Sequence, residues 1–169
     1  MYLIVDVGNS RAKVAILEHG EVIMQETHLE ITQEIVDDTL LRYPTISRAI
    51  VASTRGDGEH VAALLQSLIQ RVILFNPATT PIPLGNSYYT PKTLGPDRLA
   101  AAVGAAALYP DKEIMIVDFG TAITIDFVID NTFRGGNISP GVTTRFRALA
   151  DYTACLPLCA PTEEVLEYG

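Results

Sequence analysis

The chain opens on Tyr2-Leu3-Ile4-Val5-Asp6-Val7, apolar but for one acid and stopped by Gly8-Asn9-Ser10, the pattern of a buried strand entering a tight turn. Residues 12–17 alternate in part, His19-Gly20 supplies a hairpin turn, and 22–25 return, so three antiparallel strands are expected first. Ile35, Val36, Leu40 and Leu41 then fall at helical spacing over 32–42, with Thr32 as N-cap and Pro44 as the stop. A strand over 49–53, an amphipathic helix over 59–70 and a strand over 72–75 follow. That rhythm implies right-handed crossovers and a parallel part of the sheet.

Residues 76–96 hold five of the ten prolines and no apolar period, which reads as a long loop. Loops of this length inside a compact fold are more often functional than idle. An Ala-rich helix over 98–109 ends at Pro110, and a strand over 113–117 reaches Asp118. Strands over 123–129 and 132–134 flank Asp130-Asn131, and 142–150 reads as a last helix.

Two segments repeat one another. Ile4-Val5-Asp6-Val7-Gly8-Asn9-Ser10 and Ile116-Val117-Asp118-Phe119-Gly120-Thr121-Ala122 share a strand, an Asp, an apolar residue and a Gly turn, 112 residues apart, and each leads into two further strands. The expected organisation is a first unit over 1–110 and a second over 111–169. Only 51 residues follow Asp118, so the second unit reads as cut short.

Composition narrows the function classes. The 169 residues carry 12 basic and 20 acidic side chains, a net charge of −8, so nucleic acid is an unfavourable partner. The 48% apolar content supplies a core, and a chain of this size buries roughly two thirds of its unfolded surface. Residues 72–91 are broken by Pro77, Pro81, Pro83 and Pro91, so no membrane span is expected, and no basic leader precedes the first apolar run. A cytoplasmic protein is the expectation. Cys155 and Cys159 lie far from His19, His28 and His60 in sequence, which disfavours zinc and leaves them as small apolar residues.

The repeated Asp-x-Gly turns carry the candidate chemistry. Backbone N–H groups of Gly8 and Gly120 turns can cradle phosphate oxygens, Asn9, Ser10 and Thr121 add donors, and Asp6 and Asp118 can hold Mg²⁺. Lys13 can reach a phosphate from the neighbouring strand. No G-x-x-x-x-G-K-[ST] and no G-x-G-x-x-G occurs, so a nucleotide site must be clasped between two units. Asp97, in Leu94-Gly95-Pro96-Asp97-Arg98, is open to two readings: an N-cap of the Ala-rich helix, or a general base with Arg98 neutralising charge beside it. Arg134-Gly135-Gly136-Asn137-Ile138-Ser139-Pro140-Gly141 reads as a Gly-rich turn that lets backbone approach a ligand.

Asp-Val-Gly-Asn-Ser with Lys13, Leu-Gly-Pro-Asp-Arg, Asp-Phe-Gly-Thr-Ala-x-Thr and Gly-Gly-Asn-Ile-Ser-Pro-Gly, in this order, resemble the type III pantothenate kinases of the actin-like ATPase (acetate and sugar kinase) superfamily. The segment Thr153-Ala154-x-Leu156-Pro157 is similar as well. The resemblance implies an α/β fold of duplicated ribonuclease H-like domains with mixed five-stranded sheets, the second incomplete. It implies ATP-dependent phosphorylation of pantothenate, the first step toward coenzyme A, with Mg²⁺ and a monovalent cation, K⁺ or NH₄⁺. By the same resemblance Asp97 is the base. Asp6 and Asp118 serve the metal and phosphates, with Gly8, Asn9, Ser10, Lys13, Gly120 and Thr121. Tyr88, Gly95, Arg98, Gly135 and Gly136 line the pantothenate pocket, and the protein is a homodimer with ATP and pantothenate as partners. Family members continue for some seventy or eighty residues more, from which weak ATP binding and slow turnover of this polypeptide are expected. The alternatives are another kinase or phosphatase of the superfamily, or a non-catalytic accessory relative.

Overall fold

The computed structural model describes residues 1–162 as two mixed sheets joined by a shared helix. The first sheet has five strands in the order β3-β2-β1-β4-β5: β1 (Tyr2–Val7), β2 (Ala12–Glu18), β3 (Glu21–His28), β4 (Arg48–Ser53) and β5 (Arg71–Leu74). The first three are antiparallel, and β4 and β5 add in parallel through α1 (Gln33–Arg42) and α2 (Gly58–Gln66). The turn between β2 and β3 places His19 and Gly20 both at positive φ, as a two-residue hairpin of this hand requires. Thr32 caps α1, its side chain accepting from the Ile35 N–H at 3.4 Å. The helix expected over 59–70 ends earlier, at Gln66.

One face of this sheet is dry. Leu3, Val5 and Val7 of β1 join Val14, Ile16 and Val51 in packing against Val36 of α1 and Val61 and Leu65 of α2, all nearly inaccessible. Period-two alternation therefore sends Ile4 and Asp6 to the opposite face.

The stretch 76–96 is more structured than its prolines predict. It contains β6 (Gly85–Asn86), a short 3₁₀ turn (Pro91–Thr93) and the lead into α3 (Pro96–Leu108). The second sheet runs β6-β9-β8-β7, with β7 (Ile114–Phe119), β8 (Ala122–Ile129) and β9 (Thr132–Pro140). Its fourth strand is thus borrowed from the linker, parallel to β9, and it has four strands rather than the expected five. The β8–β9 turn repeats the first hairpin, with Asp130 and Asn131 both at positive φ. Strand β9 extends well past the 132–134 expected, and α4 (Val142–Tyr152) slightly past 150.

A second core forms around α3. Leu99 and Ala102 pack with Phe75, Leu84, Leu94, Val128 and Phe133, while Ile50 and Ala52 of the first sheet approach the same cluster. The helix therefore ties the two sheets together. The boundary expected at 110 falls in the turn between α3 and β7, and residues 163–169 of the second expected unit lie outside the described residues. Cys155 and Cys159 are free and exposed. Among the described residues, no helix is long and apolar enough to cross a membrane.

Candidate functional site

Asp6 sits on the open face of β1, directly opposite Lys13 of β2 in the antiparallel register, so the two side chains share a face. In the second hairpin Asp118 stands opposite Thr124. Asp6, Asp118 and Asp97 line one cavity of about 550 Å³ between the first sheet and α3, its walls built by Ile4, Ile50 and Phe75 among others. Burial pushes the Asp6 carboxyl above its ordinary range, Lys13 opposes that shift, and the charges of Asp97 and Asp118 add to it. Asp6 on β1 therefore feels the charges of Asp97 on α3 and Asp118 on β7 across a shared space.

Asp97 is not the N-cap. Gly95 occupies that position, because Pro96 with its fixed φ takes the first helical place and leaves Asp97 second. The Asp97 Oδ1 accepts the N–H of Arg98 at 2.9 Å, and among the described residues Oδ2 makes no hydrogen bond. A side chain at Gly95 would run into Oδ1, so glycine there keeps the carboxylate in place.

The two Gly turns face each other. Ser10 Oγ lies 3.2 Å from Thr121 Oγ1, a hydrogen bond between halves of the repeat. Asn9, Ser10, Gly120 and Thr121 line a second cavity of about 830 Å³. Each turn is closed by its glycine N–H, Gly8 donating to Arg11 O three residues on and Gly120 to Ala122 O two residues on. The second turn is held from behind, as Thr121 O accepts both the Gly141 N–H at 2.9 Å and Thr144 Oγ1 at 2.7 Å. Thr143, Thr144 and Arg147 of α4 join the lining of the 830 Å³ cavity, presenting the helix's positive end. Sequence reasoning missed these three; the usable signal was a Gly immediately before an expected helix.

Tyr88, Arg98, Gly135 and Gly136 do not line the acid cavity. Arg98 is buried and its fork is taken by Asp126, with Nε to Oδ2 at 2.9 Å and Nη2 to Oδ1 at 2.5 Å; its guanidinium lies 5.6 Å from the Tyr88 ring centre. The Arg98 expected to neutralise charge beside Asp97 is thus bound from behind α3. Gly135 and Gly136 are corrected too: they lie inside β9, at an irregularity in its pairing with β8, and make no turn. Gly135 has φ +80° with the Tyr88 ring against it, and any side chain at Gly136 would strike the Ile125 carbonyl. Close strand approach, more than ligand access, explains the pair. Ser87 Oγ donates to Phe133 O, which sets Tyr88 on this layer.

Among the described residues, no group of three or more His, Cys, Asp or Glu could hold a metal ion unaided. Magnesium at phosphates seldom needs one, since one or two carboxylates, waters and phosphate oxygens complete its shell. Asp6, pushed upward first by burial and then by the charges of Asp97 and Asp118, fits such a cation.

The family profile described as type III pantothenate kinase matches residues 2–168. Type III pantothenate kinases of Phocaeicola vulgatus and Bacteroides fragilis are similar. The first is 39% identical over 170 residues, covering 100% of this chain and 69% of that protein; the second is 38% identical over 159, covering 94% and 65%. The chain spans about two thirds of the length of these relatives. Two solved structures share the fold. A conserved Baf family protein of Campylobacter jejuni superposes at TM-score 0.56 with 24% identity, over 99% of this chain and 67% of that one. A protein of Sinorhizobium meliloti described as a 2-dehydro-3-deoxygalactonokinase gives 0.54 with 18% identity, over 90% and 58%.

Proposed function

Because the chain belongs to the type III pantothenate kinase family, we propose that its cleft transfers the γ-phosphoryl group of ATP to the primary hydroxyl of pantothenate, the first step of coenzyme A biosynthesis. The observation that carries the reading is the meeting of Asp6, Asp97 and Asp118 on one cavity beside two facing Gly turns.

Each residue then has a role that its position supports. Asp97 takes the proton of the substrate hydroxyl on its open oxygen, while Arg98 N–H and the helix's first turn orient the other. A bond forms from that hydroxyl oxygen to the γ-phosphorus as the bond to the ADP oxygen breaks. Asn9, Ser10, Thr121 and the α4 N-terminus receive phosphate oxygens, and Lys13 balances charge over Asp6. Asp6 and Asp118 are the side chains that would hold Mg²⁺, which when bound neutralises charge on the β- and γ-phosphates. Arg98, Tyr88 and Asp126 lock the layer beneath the first turn of α3. A monovalent cation, K⁺ or NH₄⁺, belongs to the same proposal.

A substrate panel with coupled ADP detection tests this reading. Pantothenate is expected to drive magnesium-dependent ADP release; phosphorylation of a sugar or of acetate, with no response to pantothenate, would overturn it.

A further inference from the structure

We infer that Arg55 is a positioning residue that aims the backbone of the first Gly turn at the nucleotide phosphates. The inference rests on the proposed ATP reading.

Arg55 is exposed and follows β4, yet its fork is spent on the main chain. Nε donates to Gly8 O at 2.6 Å and Nη1 to Leu29 O at 3.1 Å. Its own N–H is held by Ser53 Oγ at 3.1 Å, and that hydroxyl donates to Asp57. The neighbouring Thr54 gives both its N–H and its Oγ1 to Val7 O. Segment 53–55 thus captures two successive carbonyls at the end of β1.

Peptide geometry converts that capture into an orientation. In a planar trans amide the C=O and the following N–H point in opposite directions. With Gly8 O turned to Arg55, the Asn9 N–H must point to the other side. Asn9 lines the 830 Å³ cavity and Arg55 does not, so the N–H is directed where a phosphate would lie and the guanidinium acts from behind. Among the described residues, neither the Asn9 nor the Ser10 N–H donates to a protein acceptor, which leaves both free for phosphate. In the second turn the captured carbonyl lies one position later in the repeat, at Thr121 O, which Gly141 and Thr144 hold. One half of the repeat uses a helix start as its anchor, and the other uses an arginine.

The test is calorimetric titration of the full chain with a non-hydrolysable magnesium–ATP analogue, and separately with pantothenate, for the parent, Arg55→Ala and Arg55→Lys. Arg55→Ala is expected to weaken the analogue about tenfold, with pantothenate affinity and melting temperature held. Arg55→Lys keeps the charge but not the planar fork and is expected to stay weak. Analogue affinity equal to the parent in Arg55→Ala overturns the inference. Full recovery in Arg55→Lys also overturns it, because charge alone would then suffice. A parallel loss of pantothenate binding and melting temperature would make the residue structural only. A parent chain that binds pantothenate but no nucleotide would sink the ATP reading itself, and this inference with it.

Discussion

Asp126→Asn changes one atom and should cost this protein a large part of its stability. The carboxylate is 2% exposed, and Arg98, its partner, 5%; the pair is bidentate. Asparagine keeps the volume, so no cavity opens and the loss reports the charge and its hydrogen bonds alone. Removing one member of a buried pair leaves the other charge uncompensated, at about 3–5 kcal/mol. For a chain of this length each kcal/mol is worth roughly 2–4 °C, so the melting temperature should fall by about 6–20 °C. Thermal unfolding followed by circular dichroism, with urea titration as a second probe, measures it. Replacing both partners, Arg98→Met with Asp126→Leu, should recover most of the loss, since neither charge then stays stranded. A single substitution costing under about 1 kcal/mol would refute the reasoning, because it would mean that water reaches the guanidinium.

Three further outcomes follow from the site. Asp6→Asn should raise stability at neutral pH by about 0.5–2 kcal/mol while weakening magnesium–nucleotide binding, since the fold holds this acid among others. The sign is set by the raised carboxyl: the folded state holds that proton more tightly, so the contribution of Asp6 to stability is fullest below the ordinary carboxyl range and is lost as pH rises through the raised value. The advantage of Asn should therefore vanish below the ordinary carboxyl range, as melting curves across pH will report. Gly95→Ala has room in backbone terms, with φ −61° and ψ 130°, but its methyl displaces Asp97 Oδ1. It should lower kcat by about 10–100-fold in the ADP-release assay with little change in melting temperature.

What the sequence made legible was what local chemistry determines. The turns at His19-Gly20 and Asp130-Asn131, the cap at Thr32 and the two Asp-x-Gly strands all rest on neighbours a few residues apart. The missed features depend on distant partners. Strand β6 exists because Gly85 and Asn86 find β9, and two residues in a proline-rich loop carry no periodic signal. Gly135 and Gly136 look like a turn until Ile125 and Tyr88 are seen pressing on them. Arg98 reads as a free cation beside Asp97, and its buried partner lies 28 residues further along. The N-cap is Gly95 rather than Asp97 because Pro96 fixes the helix start, a signal local to the sequence. The part played by α4 in the second turn follows from hydrogen bonds to Thr121, 20 or more residues upstream.

In the proposed reaction the acid at the start of α3 removes the proton while the two repeated acids serve the nucleotide. Single-turnover ADP release with pantothenate, set beside magnesium–nucleotide binding, tests it in Asp97→Asn. The rate should fall about 10²–10⁴-fold with nucleotide affinity preserved. A variant that turns over pantothenate like the parent, or that loses nucleotide binding and rate together, would contradict it.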